Sequence, residues 1–271
     1  MLKILSHLTH STITATDGDI GHVKAAFFDD KSWTIRYLVV NTETWLPGRD
    51  VLISPYSVKQ PLASDKRIDV ALTRQKVIDS PDIDTQQPVS RQHEREYSNY
   101  YAFPEYWYGG GIWGAGAYPL LAAYPLSADE IAAAKAVKQH DLDHADVHLR
   151  SSVKVSGYNI QATDDSIGHV KDFIYDDESW EIPYLVVDTR NWWPGGKKVL
   201  IASHWIDRVD WDTSSVFVSL TRAEVRNSPE YEESTIVDRT YEQLLHDTYN
   251  RIGYWDRARA AGEPPVVQKA A

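Results

Sequence analysis

The chain has 271 residues, no cysteine and a formal net charge of −11. The missing thiol excludes disulfides, cysteine nucleophiles and cysteine-zinc sites, and the acidity argues against a nucleic-acid surface, which is usually basic. The length allows two domains of ~100–150 residues, and 11% aromatic content, with ten Trp and sixteen Tyr, favours packed, sheet-rich structure.

The first stretch, "MLKILSHLTHST", has one Lys and no apolar run of signal-peptide length, so a cytoplasmic protein is expected. "DG" at Asp17–Gly18 is a turn signal. In "WTIRYLVV", Trp33, Ile35, Tyr37 and Val39 share one strand face. The other face, Thr34, Arg36, Leu38 and Val40, starts polar and ends apolar, which predicts a strand wet at one end. "FDDKS" before it places Asp and Ser where a hairpin turns. Further strands are expected from Val51 and near Ile68–Leu72.

The same order then returns. Ala15–Gly48 matches Ala162–Gly195 at 21 of 34 positions, at an offset of 147. "DIGHVK" at Asp19–Lys24 reappears as "SIGHVK" at Ser166–Lys171. One inserted residue then shifts the offset to 148: Val51 aligns with Val199, Leu72 with Leu220, and Tyr106–Trp107 with Tyr254–Trp255. A period this long means two domains rather than a solenoid. In the second copy Trp180, Ile182, Tyr184 and Val186 share a face, and "TRAE" at Thr221–Glu224 is a capping box that opens a short helix ended by Ser228–Pro229. Short strands with one small helix suggest a small barrel in each copy.

"TDGDIGHVKAAFFDDKSWTIRYLVVNTETWLPGRDVLIS" and its second copy resemble the PRC-barrel, the domain of the cytoplasmic part of the photosynthetic reaction centre H subunit and of a bacterial ribosome maturation factor. The particular likeness is to bacterial proteins with two such barrels and no other catalytic domain. The resemblance implies a mainly β fold: tandem PRC-type barrels at 1–82 and 148–230, each with a short C-terminal helix. They would be joined by a linker (83–147) carrying an aromatic, Gly-rich segment and one helix, and followed by a helical extension and tail (231–271). It also implies scaffolding rather than catalysis, with a protein partner and no cofactor. Homodimerisation and peripheral association with a membrane complex stay open. No stretch here reads as the H subunit's membrane helix or the maturation factor's separate N-terminal domain, so neither specific role, photosynthetic terms included, is expected.

Several residues invite a sharper reading. His22 and His169 occupy equivalent places; they suit a symmetric metal site, or more simply two strand residues bonded to turns. Asp29–Asp30 and Asp176–Asp177 are paired carboxylates, but adjacent strand residues point apart, which favours turn formation. "HDLDHADVH" places His140, His144 and His148 at i, i+4 and i+8, one face of a helix and a zinc-like pattern; the plainer reading is a solvated junction after an Ala-rich helix capped by Ser127 and Glu130. "GGGIWGAG" lacks the Lys-Ser/Thr of a phosphate loop. Between Glu105 and Asp129 lie 23 uncharged residues, but five Gly and two Pro among them make a spanning helix costly in lipid. Tyr100, Tyr101, Tyr106, Trp107, Tyr108, Trp113 and Tyr118 are the candidate interaction residues, since aromatic side chains anchor interfaces; packing against the barrels is their alternative. A ligand or metal in an inter-barrel cleft or at the histidine junction is the alternative function.

Overall fold

The computed structural model describes residues 1–42, 46, 49–62, 66–81, 89, 91–107, 111–114, 116–121, 148–192 and 194–256. The chain is mainly β, with its strands in two sheets. It divides into two compact units: Met1, Lys3–Gly157 and Asp172–Pro183 form the first, and Leu2, Tyr158–Lys171 and Tyr184–Ala271 the second.

The strands before the first sheet's central hairpin are β1 (Leu2–Ile4) and β2 (Thr12–Ala15). The hairpin itself is β3 (Gly18–Asp29) and β4 (Thr34–Asn41), followed by β5 (Asp50–Ile53), β6 (Arg67–Asp69) and β7 (Leu149–Ser151). The sheet runs β5-β4-β3-β2-β6, with β7 against β3. Only β2 and β6 are parallel. The second sheet is built from β8 (Asn159–Gln161), β9 (Ser166–Asp176), β10 (Tyr184–Asp188), β11 (Lys198–Ala202), β12 (Ile206–Asp210) and β13 (Ser215–Val218). Its order is β11-β10-β9-β8-β13-β12, with β1 against β9. The parallel pair β13–β8 repeats the pair β2–β6 of the first sheet.

The shared "IGHVK" phrase has a steric cause. Gly21 and Gly168 lie where the next strand's backbone passes: a Cβ at Gly21 would sit 1.9 Å from the carbonyl oxygen of Asn41, and one at Gly168 2.4 Å from that of Asp188. Only glycine permits that approach.

Neither sheet closes into a barrel among the described residues. Past β5 the chain meets the far side of the sheet at an isolated bridge between Val58 and Val70, with the Lys59 N–H donating to the Asp69 carbonyl. At the β5 edge a helix, Arg91–Tyr101, supplies partners: the Tyr97 hydroxyl donates to the Leu52 carbonyl at 2.8 Å and accepts from the Ser54 N–H at 3.3 Å. A covered edge offers no template for further pairing. In the second unit the Tyr231 N–H donates to the Lys198 carbonyl, and the hydroxyl of Tyr249, just past the helix Arg239–Thr248, reaches Leu200.

The wet end predicted for β4 is also corrected. Thr34 and Arg36 are buried like the apolar residues beside them. The turn of the second copy's hairpin, which belongs to the first unit, lies against Thr34 and Ile35, and the Tyr106 and Trp113 rings lie over Arg36. Ile35 N–H donates to the Trp180 carbonyl at 2.8 Å and Ile182 N–H to the Trp33 carbonyl at 2.6 Å, around an isolated bridge between Thr34 and Glu181. With an offset of 147, these are the same bond made twice with the copies exchanged. Trp33 and Trp180 both take left-handed backbone (φ 50° and 62°), unusual for a bulky residue. Both rings are interior, Trp33 stacked on Phe28 at 5.2 Å and Trp180 beside Tyr175. Their burial offsets the local strain.

Candidate functional site

The helix Arg91–Tyr101 turns Glu94, Tyr97, Ser98 and Tyr101 inward, the i, i+3, i+4, i+7 stripe of a helix packed on a sheet. Glu94 is fully buried and is met by donors. Tyr106 O–H donates to its Oε1 at 2.5 Å, His148 Nε2 lies 2.8 Å from its Oε2, and an Arg91 Nη1 reaches the same oxygen at 3.1 Å. Arg91 also donates to the Tyr106 hydroxyl and lies 4.4 Å over the Trp107 ring. Burial first, then the Glu94 charge, push the hydroxyls of Tyr37 and Tyr106 well above the usual tyrosine range, so both stay protonated donors.

The second unit makes the same arrangement. Glu242 Oε1 accepts from the hydroxyls of Tyr184 and Tyr254, each at 2.9 Å, and Arg239 Nη1 lies 3.0 Å from Oε2. Arg239 covers the Trp255 ring at 4.2 Å, as Arg91 covers Trp107. Tyr37, Arg91, Glu94, Tyr106 and Trp107 thus correspond to Tyr184, Arg239, Glu242, Tyr254 and Trp255. The histidines differ in origin: His148 lies just before β7, whereas His246, on the helix itself, meets the Tyr184 hydroxyl at 3.1 Å. Glu94 and Glu242 were not singled out from sequence. The signal was the Arg-x-x-Glu spacing recurring 148 residues apart, at Arg91–Glu94 and Arg239–Glu242. Each carboxylate is surrounded by donors in a packed interior, which suits fastening a helix to a sheet.

The sequence candidates fall as follows. Asp29 Oδ1 accepts from the N–H groups of Lys31 and Ser32 and from the Ser32 hydroxyl, and Asp176 Oδ1 from the N–H groups of Glu178 and Ser179. Both carboxylates are therefore turn formers. Burial works to raise the Asp29 pKa, but the Arg36 charge, the turn N–H groups and the His148 charge together outweigh it, and the carboxyl is held below its ordinary value. Asp30 is bonded by Arg150 Nε at 2.8 Å. His22, on β3, approaches the Thr12 hydroxyl at 3.4 Å; His169 lies on β9. His140 and His144 lie outside the described residues, as do Tyr108 and the helix expected near Ser127. His148 is spent on Glu94. Among the described residues no three His, Asp or Glu side chains converge as a metal ion's ligands would.

The aromatic segment packs into the first unit. Tyr101, Tyr106 and Trp113 are buried, and Trp107 and Tyr118 are half-buried. The half-buried Tyr100 donates its hydroxyl to the Lys76 carbonyl. Trp113 Nε1 donates to the Ser179 carbonyl at 2.6 Å. Residues 111–114 form a tight turn in which Gly111 N–H meets the Gly114 carbonyl; a Cβ on Gly111 would lie 2.5 Å from the Gly116 oxygen.

This turn helps wall a cleft of about 260 Å³ lined by Asp29, Ser32, Arg36, Tyr106, Trp107, Gly111 and Ile112. Arg36 is only 3% exposed. It donates to the Ile112 carbonyl at 2.5 Å and the Ser32 hydroxyl at 3.0 Å, and its guanidinium lies 3.8 Å from the Tyr106 ring centre and 4.7 Å from that of Trp113. The equivalent of Arg36 in the second copy is Pro183.

No family model matches the chain. Over 107 residues it is 31% identical to an uncharacterized protein of Deinococcus radiodurans. The match covers 40% of this chain and 36% of that protein, so the likeness spans about a third of the relative's length.

Proposed function

We propose that the chain is a non-catalytic scaffold or protein-interaction protein built from two PRC-type modules. The observation that carries this reading is the twin Glu–Tyr–Tyr–Arg cluster. The groups best suited to acid–base chemistry are buried and turned to holding a helix on a sheet, in both copies alike. The resemblance of both copies to PRC-type modules supports the same reading. With Tyr101, Tyr106 and Trp113 inside, the apolar surface of this segment passes to Leu120 and Leu121, 53% and 56% exposed. Adjacent exposed leucines after a packed aromatic turn suit the apolar centre of a protein contact.

The test is crosslinking of the full chain in a lysate of its own organism, then reconstitution of any captured complex from pure components. The expected result is a stoichiometric complex whose Kd rises at least ~10-fold, or about 1.4 kcal/mol, when Leu120→Glu and Leu121→Glu are combined, with unchanged circular dichroism. A complex indifferent to that pair, or turnover of a substrate by the pure chain, would overturn the reading.

A further inference from the structure

We propose that the cleft of the first unit binds a small zwitterion with an apolar side chain, the chemistry of a free apolar α-amino acid. Its wall holds two groups of opposite charge, Arg36 and Asp29, each with a hydrogen-bonding position left over. Arg36 has five N–H donors, and the Ile112 carbonyl and the Ser32 hydroxyl engage two of them. Asp29 spends Oδ1 on the turn, while Oδ2 accepts no hydrogen bond among the described residues. Buried polar atoms normally have at least one partner; Arg36 Nε has none among the described residues, and Arg36 and Asp29 line one cleft.

The ligand's charge follows from the pair. A lone anion drawn to Arg36 meets the Asp29 carboxylate, and a lone cation drawn to Asp29 meets the guanidinium. A molecule carrying both charges satisfies each, its carboxylate toward Arg36 and its ammonium toward Asp29. Tyr106 and Trp113 cover the guanidinium, which lowers the local dielectric and fixes the fork. Trp107 and Ile112 give the apolar part of the wall. A volume of about 260 Å³ lies just below the roughly 300–1,000 Å³ of drug-sized sites, so the ligand is small. The second copy, with Pro183 at the position of Arg36, lacks the cation; the site belongs to the first copy alone.

The test is titration calorimetry of the full chain with leucine, isoleucine, methionine and phenylalanine, each beside its N-acetyl derivative and its methyl ester. At least one free amino acid is expected to bind at millimolar concentration or below. Each derivative, having lost one charge, is expected to bind at least ~10-fold more weakly. Asp29→Asn keeps the turn acceptor but not the charge and should weaken the free amino acid at least ~10-fold. The derivatives probe the unaltered protein, so the result does not hang on the variant's folding. No binding by any of the four at about 10 mM, equal binding of the derivatives, or a folded Asp29→Asn chain that binds as before would each overturn the proposal.

Discussion

Replacing Glu94 by alanine removes the one acceptor on which Tyr106, His148 and Arg91 converge, at 2.5, 2.8 and 3.1 Å. Glu94 is 0% and His148 1% exposed, so water cannot take over the lost bonds. Breaking a buried pair by deleting one partner costs about 3–5 kcal/mol, because the stranded partners keep their desolvation penalty. Glu94→Gln keeps an acceptor for Tyr106 and gives up the charge, so about half that loss is expected. Urea unfolding followed by tryptophan fluorescence and circular dichroism measures both. A cycle with Tyr106→Phe should return a coupling of ~1–2 kcal/mol. The matching Glu242→Ala change should cost less, since Arg239 is 46% exposed and an exposed cation contributes little. A Glu94→Ala loss below about 1 kcal/mol, or no coupling to Tyr106, would refute the idea that the carboxylate fastens helix to sheet.

Gly21→Ala and Gly168→Ala should each destabilise by ~3 kcal/mol or more, read as a lower unfolding midpoint, because the added methyl overlaps a backbone carbonyl on the next strand. Asp188 is bonded by Arg190 and held at about 2, below its ordinary value of 3.8. A depressed carboxyl stabilises the fold above pH ~4, and that contribution fades as pH falls toward about 2. Asp188→Asn should therefore cost about 1 kcal/mol at pH 7, discounted for the exposed Arg190, and nothing near pH 2, measured by urea unfolding across that range. Thr221→Ala removes the capping box with Glu224 and should cost ~1 kcal/mol, visible as a shift in thermal midpoint.

What could be read from sequence follows from which interactions are local. The turn carboxylates at Asp29 and Asp176 bond N–H groups two and three residues on, and the Thr221–Glu224 box spans a single turn, so short strings carry them. The helix Arg91–Tyr101 escaped because its inward stripe is Glu94, Tyr97, Ser98 and Tyr101, only two of them conventionally apolar. A buried carboxylate erases the periodic signal that betrays a packed helix, and its hydroxyl partners lie outside the helix, on a strand and on the segment that follows it. Arg36 misled for the same reason. Its charge suggested water, while the rings that cover it, Tyr106 and Trp113, arrive some 70 residues later. The repeat announced twin sheets, but how each sheet's outer strands are met depends on residues far apart in the chain, such as Tyr97 against Leu52, which no short string carries.

The reciprocal bonds between Ile35 and Trp180 and between Ile182 and Trp33 bear on ancestry. A surface that meets its own duplicate by exchanging identical bonds is self-complementary, the kind that pairs two free molecules about a twofold axis. Fusing the genes turns such an encounter into an intramolecular one, at an effective concentration on the order of millimolar. Dilution then no longer dissolves the contact. Cutting the peptide between the copies should bring that dependence back.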